Sequence, residues 1–164
     1  MQIQRSDLEA AVTGALSRRG IADAAETGWA TAWLEACGYP GLTMLEEALR
    51  DGVHERNLRR DALGLDLDNV SCAFLAAGIM REVETGGRAF LRNVRHGLFL
   101  LPFTVRANVG IGCPVDPAFA VGGERTKNPY TEKLEAADAR GITVNMALLR
   151  AVTGAAALEK HAGQ

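Results

Sequence analysis

The chain has 164 residues, 48% of them hydrophobic and 23% charged, with a net charge of −2, which is the profile of one folded domain with no disorder expected outside the two ends. A chain of this length buries roughly 68–70% of its unfolded surface and folds without disulfides or metals. Its 18 basic and 20 acidic residues form no basic stripe for nucleic acid, and no apolar run approaches the ~18 residues of a membrane span.

Ser6-Asp7-Leu8-Glu9 reads as a capping box, after which Leu8, Ala11, Val12, Ala15 and Leu16 recur on one helical face until Gly20. A second helix is predicted from about Ala22 to Cys37, with Ala25, Trp29, Ala32, Trp33 and Ala36 on one face and Gly38 and Pro40 as stops. Thr43-Met44-Leu45-Glu46 reads as another capping box and opens a third helix, lined by Leu45, Ala48 and Leu49 and closed by Gly52. Helices this short depend on packing more than on propensity. The three are therefore expected to form one antiparallel cluster centred on Trp29 and Trp33. The mixed-sign run from His54 to Asp61 reads as a solvated helix face or loop.

Ser71 to Glu84 predicts a buried helix with Phe74, Leu75, Ile79, Met80 and Val83, stopped by Gly86-Gly87. Ala89 to Val94 reads as a strand. Leu98 to Leu101 precedes Pro102, which either begins a helix or breaks a strand. Gly110 and Gly112 mark a turn or bulge, and Val121 to Pro129 a loop rich in glycine and charge. Gly141 to Asn145 reads as a strand and Met146 to His161 as a closing helix, weakened by Gly154. The expectation is a single α+β domain spanning the chain: an amino-terminal three-helix cluster, then a mixed helix and strand half with a small sheet.

Two histidines, His54 and His96, are placed for chemistry. His96 follows a predicted strand in Asn93-Val94-Arg95-His96-Gly97 and is the candidate general acid–base, with an ordinary polar loop residue as the competing reading. Cys113 is a candidate nucleophile if a base and positive potential lie near it, and otherwise an inert buried thiol. Gly110-Ile111-Gly112 lacks the third glycine of a dinucleotide fingerprint, and no cofactor motif is present. In the segment from Gly122 to Pro129, Gly122 and Gly123 let successive N–H groups converge on an anion. Arg125 can pair with a carboxylate or phosphate, Lys127 adds a point charge and Thr126 a hydroxyl. This is the candidate ligand-binding loop; a solvated connector is the alternative. Asp61, Asp66 and Asp68 do not follow a calcium-loop spacing and read as turn and capping residues. Cys37, Cys72 and Cys113 contain no CxxC pair, so neither zinc nor a disulfide framework is indicated. Reduced thiols and an amino terminus unlike a signal peptide predict a cytoplasmic protein.

Three stretches together resemble an uncharacterised bacterial family, domain of unknown function 3726. They are Ala30-Thr31-Ala32-Trp33-Leu34-Glu35-Ala36-Cys37-Gly38-Tyr39-Pro40-Gly41, then Leu65-Asp66-Leu67-Asp68-Asn69-Val70-Ser71-Cys72, and the apolar Gly97 to Pro102 region. The resemblance covers most of the chain and implies no activity and no functional residues. A second likeness, to the amino-terminal helices of the malate/lactate dehydrogenases that lack a Rossmann fold, stops at Gly41-Leu42-Thr43, where that family carries Ser-His-Gly. The expected function is a small module that binds an anionic metabolite or a partner enzyme, as a homo-oligomer. The alternative is a small enzyme using acid–base chemistry at His96, with Arg95 or Arg125 holding a carboxylate substrate.

Overall fold

A computed structural model describes residues 1–86, 90–108 and 130–154 of the chain. Among these residues it contains seven α-helices and two small sheets, of two and three strands, an α+β architecture. No described helix is long and apolar enough to cross a membrane.

Helix α1 (Arg5–Arg18) buries Leu8, Ala11, Val12, Ala15 and Leu16, the face its period predicts. Helix α2 (Ala24–Ala36) is different. It buries Ala24, Thr27, Gly28, Ala30, Thr31, Ala32, Trp33 and Leu34, which is most of its circumference, and a helix apolar nearly all round belongs inside a core. It packs against α1, α3 (Gly41–Asp51), α4 (Cys72–Gly86), α5 (Leu100–Ala107) and α6 (Thr131–Arg140). Gly28 permits the approach of α1: a Cβ there would stand 3.0 Å from the Glu9 carbonyl oxygen and 2.0 Å from the Thr13 hydroxyl. The two hydroxyls this burial traps are both satisfied. Thr27 donates to the Ala73 carbonyl at 2.7 Å, and Thr31 to the Thr27 carbonyl at 2.8 Å.

This wide burial corrects the expected core. Trp33 is 3% exposed and lies 4.9 Å from the Tyr130 ring, but Ala25 is exposed and Trp29 only half-buried. The small residues between the tryptophans face the centre, which rotates Trp29 to the margin. There its ring meets Phe103 edge-on at 5.3 Å, and the Arg106 guanidinium lies 4.1 Å above it.

Neither predicted capping box forms. Helix α1 starts at Arg5 with Gln4 at its N-cap, and α3 starts at Gly41 with Pro40 there; neither has a side-chain cap bond. Ser6 and Thr43 therefore sit inside the first turn. The start of α3 is served instead by Glu35 of the preceding helix, whose carboxylate accepts the Leu42 N–H at 2.8 Å. Burial pushes the Glu35 carboxyl above its usual range, and the Leu42 N–H opposes that shift.

Strand β1 (Gln2–Ile3) pairs antiparallel with β5 (Ile142–Thr143), Ile3 opposite Ile142. This pairing brings the far end of the chain back, so that α7 (Met146–Thr153) packs against both α1 and α3. The Asn145 side chain caps α7 by accepting the Leu148 N–H at 3.1 Å. Helix α6, absent from the sequence reading, buries only Ala137. It carries too little apolar periodicity to stand out.

The second sheet holds the topology that matters for chemistry. Strands β2 (Arg60–Asp61) and β3 (Gly64–Asp66) pair antiparallel, while β3 and β4 (Leu91–Arg92) pair parallel with α4 as their crossover. Gly64, at φ 105°, is required by this sheet, because a Cβ would stand 2.2 Å from the Phe90 carbonyl oxygen. Backbone bonds continue beyond the strands: Leu67 N–H to Arg92, Asn69 N–H to Asn93 and Cys72 N–H to Arg95, at 2.9, 3.0 and 2.9 Å. The two segments thus stay side by side until α4 begins. After them come a 3₁₀ turn (Gly97–Phe99) and α5. Pro102 resolves as a helix-starting residue, in the first turn of α5 where a missing N–H costs nothing.

Replacing Trp33 by Ala is expected to lower the unfolding free energy by about 3–5 kcal/mol, the range for a large aromatic in a core. Trp29→Ala should cost only about 1–2 kcal/mol, from its ring pair and cation contact. Urea denaturation of the two variants checks the order; equal losses would contradict the packing described.

Candidate functional site

The parallel pair β3 and β4 ends where α4 starts, and this end of the sheet brings His96 and Ser71 together. In open α/β sheets that carboxyl edge is where ligands and reacting groups gather. Ser71 precedes α4, and its Oγ accepts the Ala73 N–H at 3.1 Å as a helix cap. The same oxygen lies 2.7 Å from His96 Nδ1, and His96 Nε2 lies 2.9 Å from a carboxylate oxygen of Glu47 on α3. The proton positions follow from this pattern. With Oγ accepting from Ala73, its hydrogen is available to Nδ1; the ring then carries its hydrogen on Nε2 and donates it to Glu47. His96 itself is left-handed at φ 56°, a backbone angle that costs energy outside glycine and persists only where neighbours over-determine it. The Ser71–His96–Glu47 series supplies that restraint from three elements.

The network is closed from solvent. Ser71 is 1% exposed and the His96 side chain 7%; only Glu47, at 39%, reaches the surface. Arg95 does not stand ready for a substrate as expected. Its guanidinium holds Asp51 at 2.5 and 3.2 Å, and this contact draws the Asp51 carboxyl below its ordinary range. Neither Glu47 nor Ser71 had stood out in the sequence. Ser71 carries a legible signal, a hydroxyl directly before a helix, whereas Glu47 has none, since its role depends on how α3 lies against the 3₁₀ turn.

The remaining predicted residues fall elsewhere. Cys113 and the loop with Gly122, Gly123, Arg125, Thr126 and Lys127 lie outside the described residues, as does His161. The three aspartates act on turns and arginines. Asp61 accepts the Leu63 N–H and pairs with Arg92. Asp66 accepts from the Asp68 N–H and from Asn93, and Asp68 pairs with Arg56. Cys37 and Cys72 are buried thiols. Burial pushes the Cys37 thiol up to about 11, against the opposing charges of Lys133 and Arg5, so it is a poor nucleophile near neutrality.

The charged run from His54 is a loop as far as Arg59 and then enters β2, one of the two expected forms; Glu55, Asn57 and Arg59 are exposed, while His54, Arg56 and Leu58 are half-buried in alternation with them. Between this segment and α4 lies a groove of about 610 Å³, lined by Phe74, Leu75, Gly78, Arg81 and Glu82 of α4, by residues 54–58, and by Ala22 and Asp23. The His54 ring stands edge-on to Phe74 at 6.1 Å. Arg81 is tied to Asp23 by two hydrogen bonds, at 3.2 and 2.9 Å, and Arg56 uses Nη1 to hold Asp68 at 3.0 Å. Two buried polar atoms in this lining, His54 Nδ1 and Arg56 Nε, have no hydrogen-bond partner among the described residues. Buried polar atoms are normally paired, so such atoms call for an explanation. Neither this groove nor a smaller hollow of about 370 Å³ beside Arg5 and Trp29 is lined by Ser71 or His96.

Comparison with known protein families, with curated proteins and with solved structures finds no match to this chain.

Two outcomes test these assignments. Ser71→Ala removes a helix cap and strands His96 Nδ1, and should cost about 2 kcal/mol in denaturant unfolding; a loss near zero would mean that the network restrains nothing. The Cys37 thiol titrates near 9.0 when unshifted and near 11 in the fold. The unfolded state therefore gives up the proton first, and stability should fall as pH rises across that window. Cys37→Ala should flatten the decline, as read by unfolding curves at a series of alkaline pH values.

Proposed function

We propose that this protein is a binding module for a small anionic metabolite, and that the groove between α4 and residues 54–58 receives it. The observation that supports this reading is the pair of unpartnered polar atoms, His54 Nδ1 and Arg56 Nε, in the lining of one groove. A carboxylate is an acceptor for Arg56 Nε–H, and for His54 Nδ1 in the tautomer that carries its hydrogen there. The volume falls within the roughly 300–1,000 Å³ common for small-molecule sites. Kinship with domain of unknown function 3726 is part of this proposal and brings no residue roles with it.

A second reading is acid–base catalysis at His96 on a carboxylate-bearing metabolite. It is favoured by the donor sense of the Ser71–His96–Glu47 series, which matches that of a nucleophile, base and acid. The burial of Ser71 and His96 is the reason it stands second: a general base must come within hydrogen-bond reach of its substrate.

A thermal-shift screen against a metabolite library, with calorimetry of the hits, tests the binding reading. Carboxylate hits should bind the wild type and lose at least tenfold in affinity in Arg56→Gln, with unchanged affinity in His96→Asn. Dependence on His96 and indifference to Arg56 would reverse the order of the two readings.

A further inference from the structure

We propose that residues 53–59 are a strap that opens and closes over α4 as one unit, so that the groove exists only while the strap is down. This property belongs to the chain itself and needs no ligand, which sets it apart from metabolite binding. The strap has two fixed ends. Helix α3 stops at Gly52, where the chain turns at φ 74°, and β2 begins at Arg60, paired antiparallel with β3. Between these ends, among the described residues, no backbone-to-backbone hydrogen bond holds residues 53–59. A segment closed by side chains alone opens locally at a lower free energy than the hydrogen-bonded helices around it. Residues 54–58 form one wall of the groove and α4 another, so lifting the strap removes a wall.

Few contacts keep it closed. Leu58 is the peg. It faces Gly78, which lies inside α4, where glycine is costly relative to alanine. A Cβ on Gly78 would stand 3.0 Å from Leu58 Cδ1, so the space that glycine leaves is filled by the leucine. The His54 ring adds its edge-on contact with Phe74. The remaining ties are polar. Arg56 pairs with Asp68 at 3.0 Å. Just past the strap, Arg60 pairs with the Glu82 carboxylate at 3.7 Å and donates to the Glu82 carbonyl at 3.3 Å. Both ion pairs reach the surface, where such pairs contribute little and are screened by salt. Two groups oppose closure. His54 Nδ1 and Arg56 Nε are buried without a partner among the described residues, and water would serve both once the strap lifts. One peg, one ring contact and screened ion pairs, set against two dehydrated polar atoms, make an element that opens while the core stays folded.

Limited proteolysis of the full chain with trypsin tests this, because Arg56, Arg59 and Arg60 lie in the strap or at its exit and cleavage follows the population of the open form. Cleavage after these arginines, read by mass spectrometry, should be at least tenfold slower than in a free peptide of residues 50–64. Leu58→Ala, which removes the peg, and Gly78→Leu, which fills its notch, should each accelerate it at least tenfold. High salt should accelerate it in the wild type, relative to the peptide under the same conditions. Urea unfolding should show too little globally unfolded chain to account for the cleavage. If neither variant folds, the salt series on the wild type decides. Cleavage of the wild type at the rate of the peptide would mean that the strap is never closed. Slow cleavage indifferent to salt and to both substitutions would make the segment a fixed part of the core. Cleavage that tracks the globally unfolded population throughout would assign it to unfolding of the whole domain. Each of these three results overturns the strap.

Discussion

The fold turns on the burial of one helix from nearly every side. Helix α2 can be surrounded by five others because its buried surface is mostly alanine, threonine and glycine around two larger anchors, Trp33 and Leu34. Small residues let backbones approach, but they leave little apolar area per contact, so the arrangement demands close fit. It also traps hydroxyls. Thr27 and Thr31 would each be costly if unpaired, and both find carbonyls, one of them on α4. The bond from Thr27 to Ala73 fixes the start of α4 against the core helix, and with it the residue before that start, Ser71.

From that anchoring follows the position of everything chemical in the described residues. The parallel crossover β3–α4–β4 delivers His96 to the helix start, and α3, whose first turn is tied to α2 through Glu35, delivers Glu47. The resulting hydrogen-bonded series has the polarity of a catalytic one and the burial of a structural one. Solvent access decides between these uses. A serine closed from solvent, capping its own helix, acts first as a fastener for three elements that share no sequence neighbourhood.

The groove is the opposite case. Its polar atoms are poorly served, and its lining combines an apolar floor with balanced charge. Polar atoms left without partners inside a protein are tolerated where function needs them. Surface ion pairs such as Arg81–Asp23 add little stability when exposed.

The sequence by itself determined the class of the molecule and its amino-terminal helices, because hydrophobic period and stop residues act locally: α1 buries the five residues its spacing names, and Gly52 ends α3 in a left-handed turn. It also singled out His96 as a histidine at a strand exit. Tertiary structure alone decided the rest. Which face of α2 is buried depends on how many neighbours it has, so Trp29 moved to the margin. Helix caps depend on where the preceding chain lies, so Glu35 displaced Thr43. Very short strands such as β1 and β5, with too few residues to show alternation, exist only because partners more than a hundred residues away meet them. The partners of His96, and the folding of a charged run over α4 to form a groove, are contacts between distant segments. No local pattern encodes them, because the energy that selects them is gained only once the core has closed.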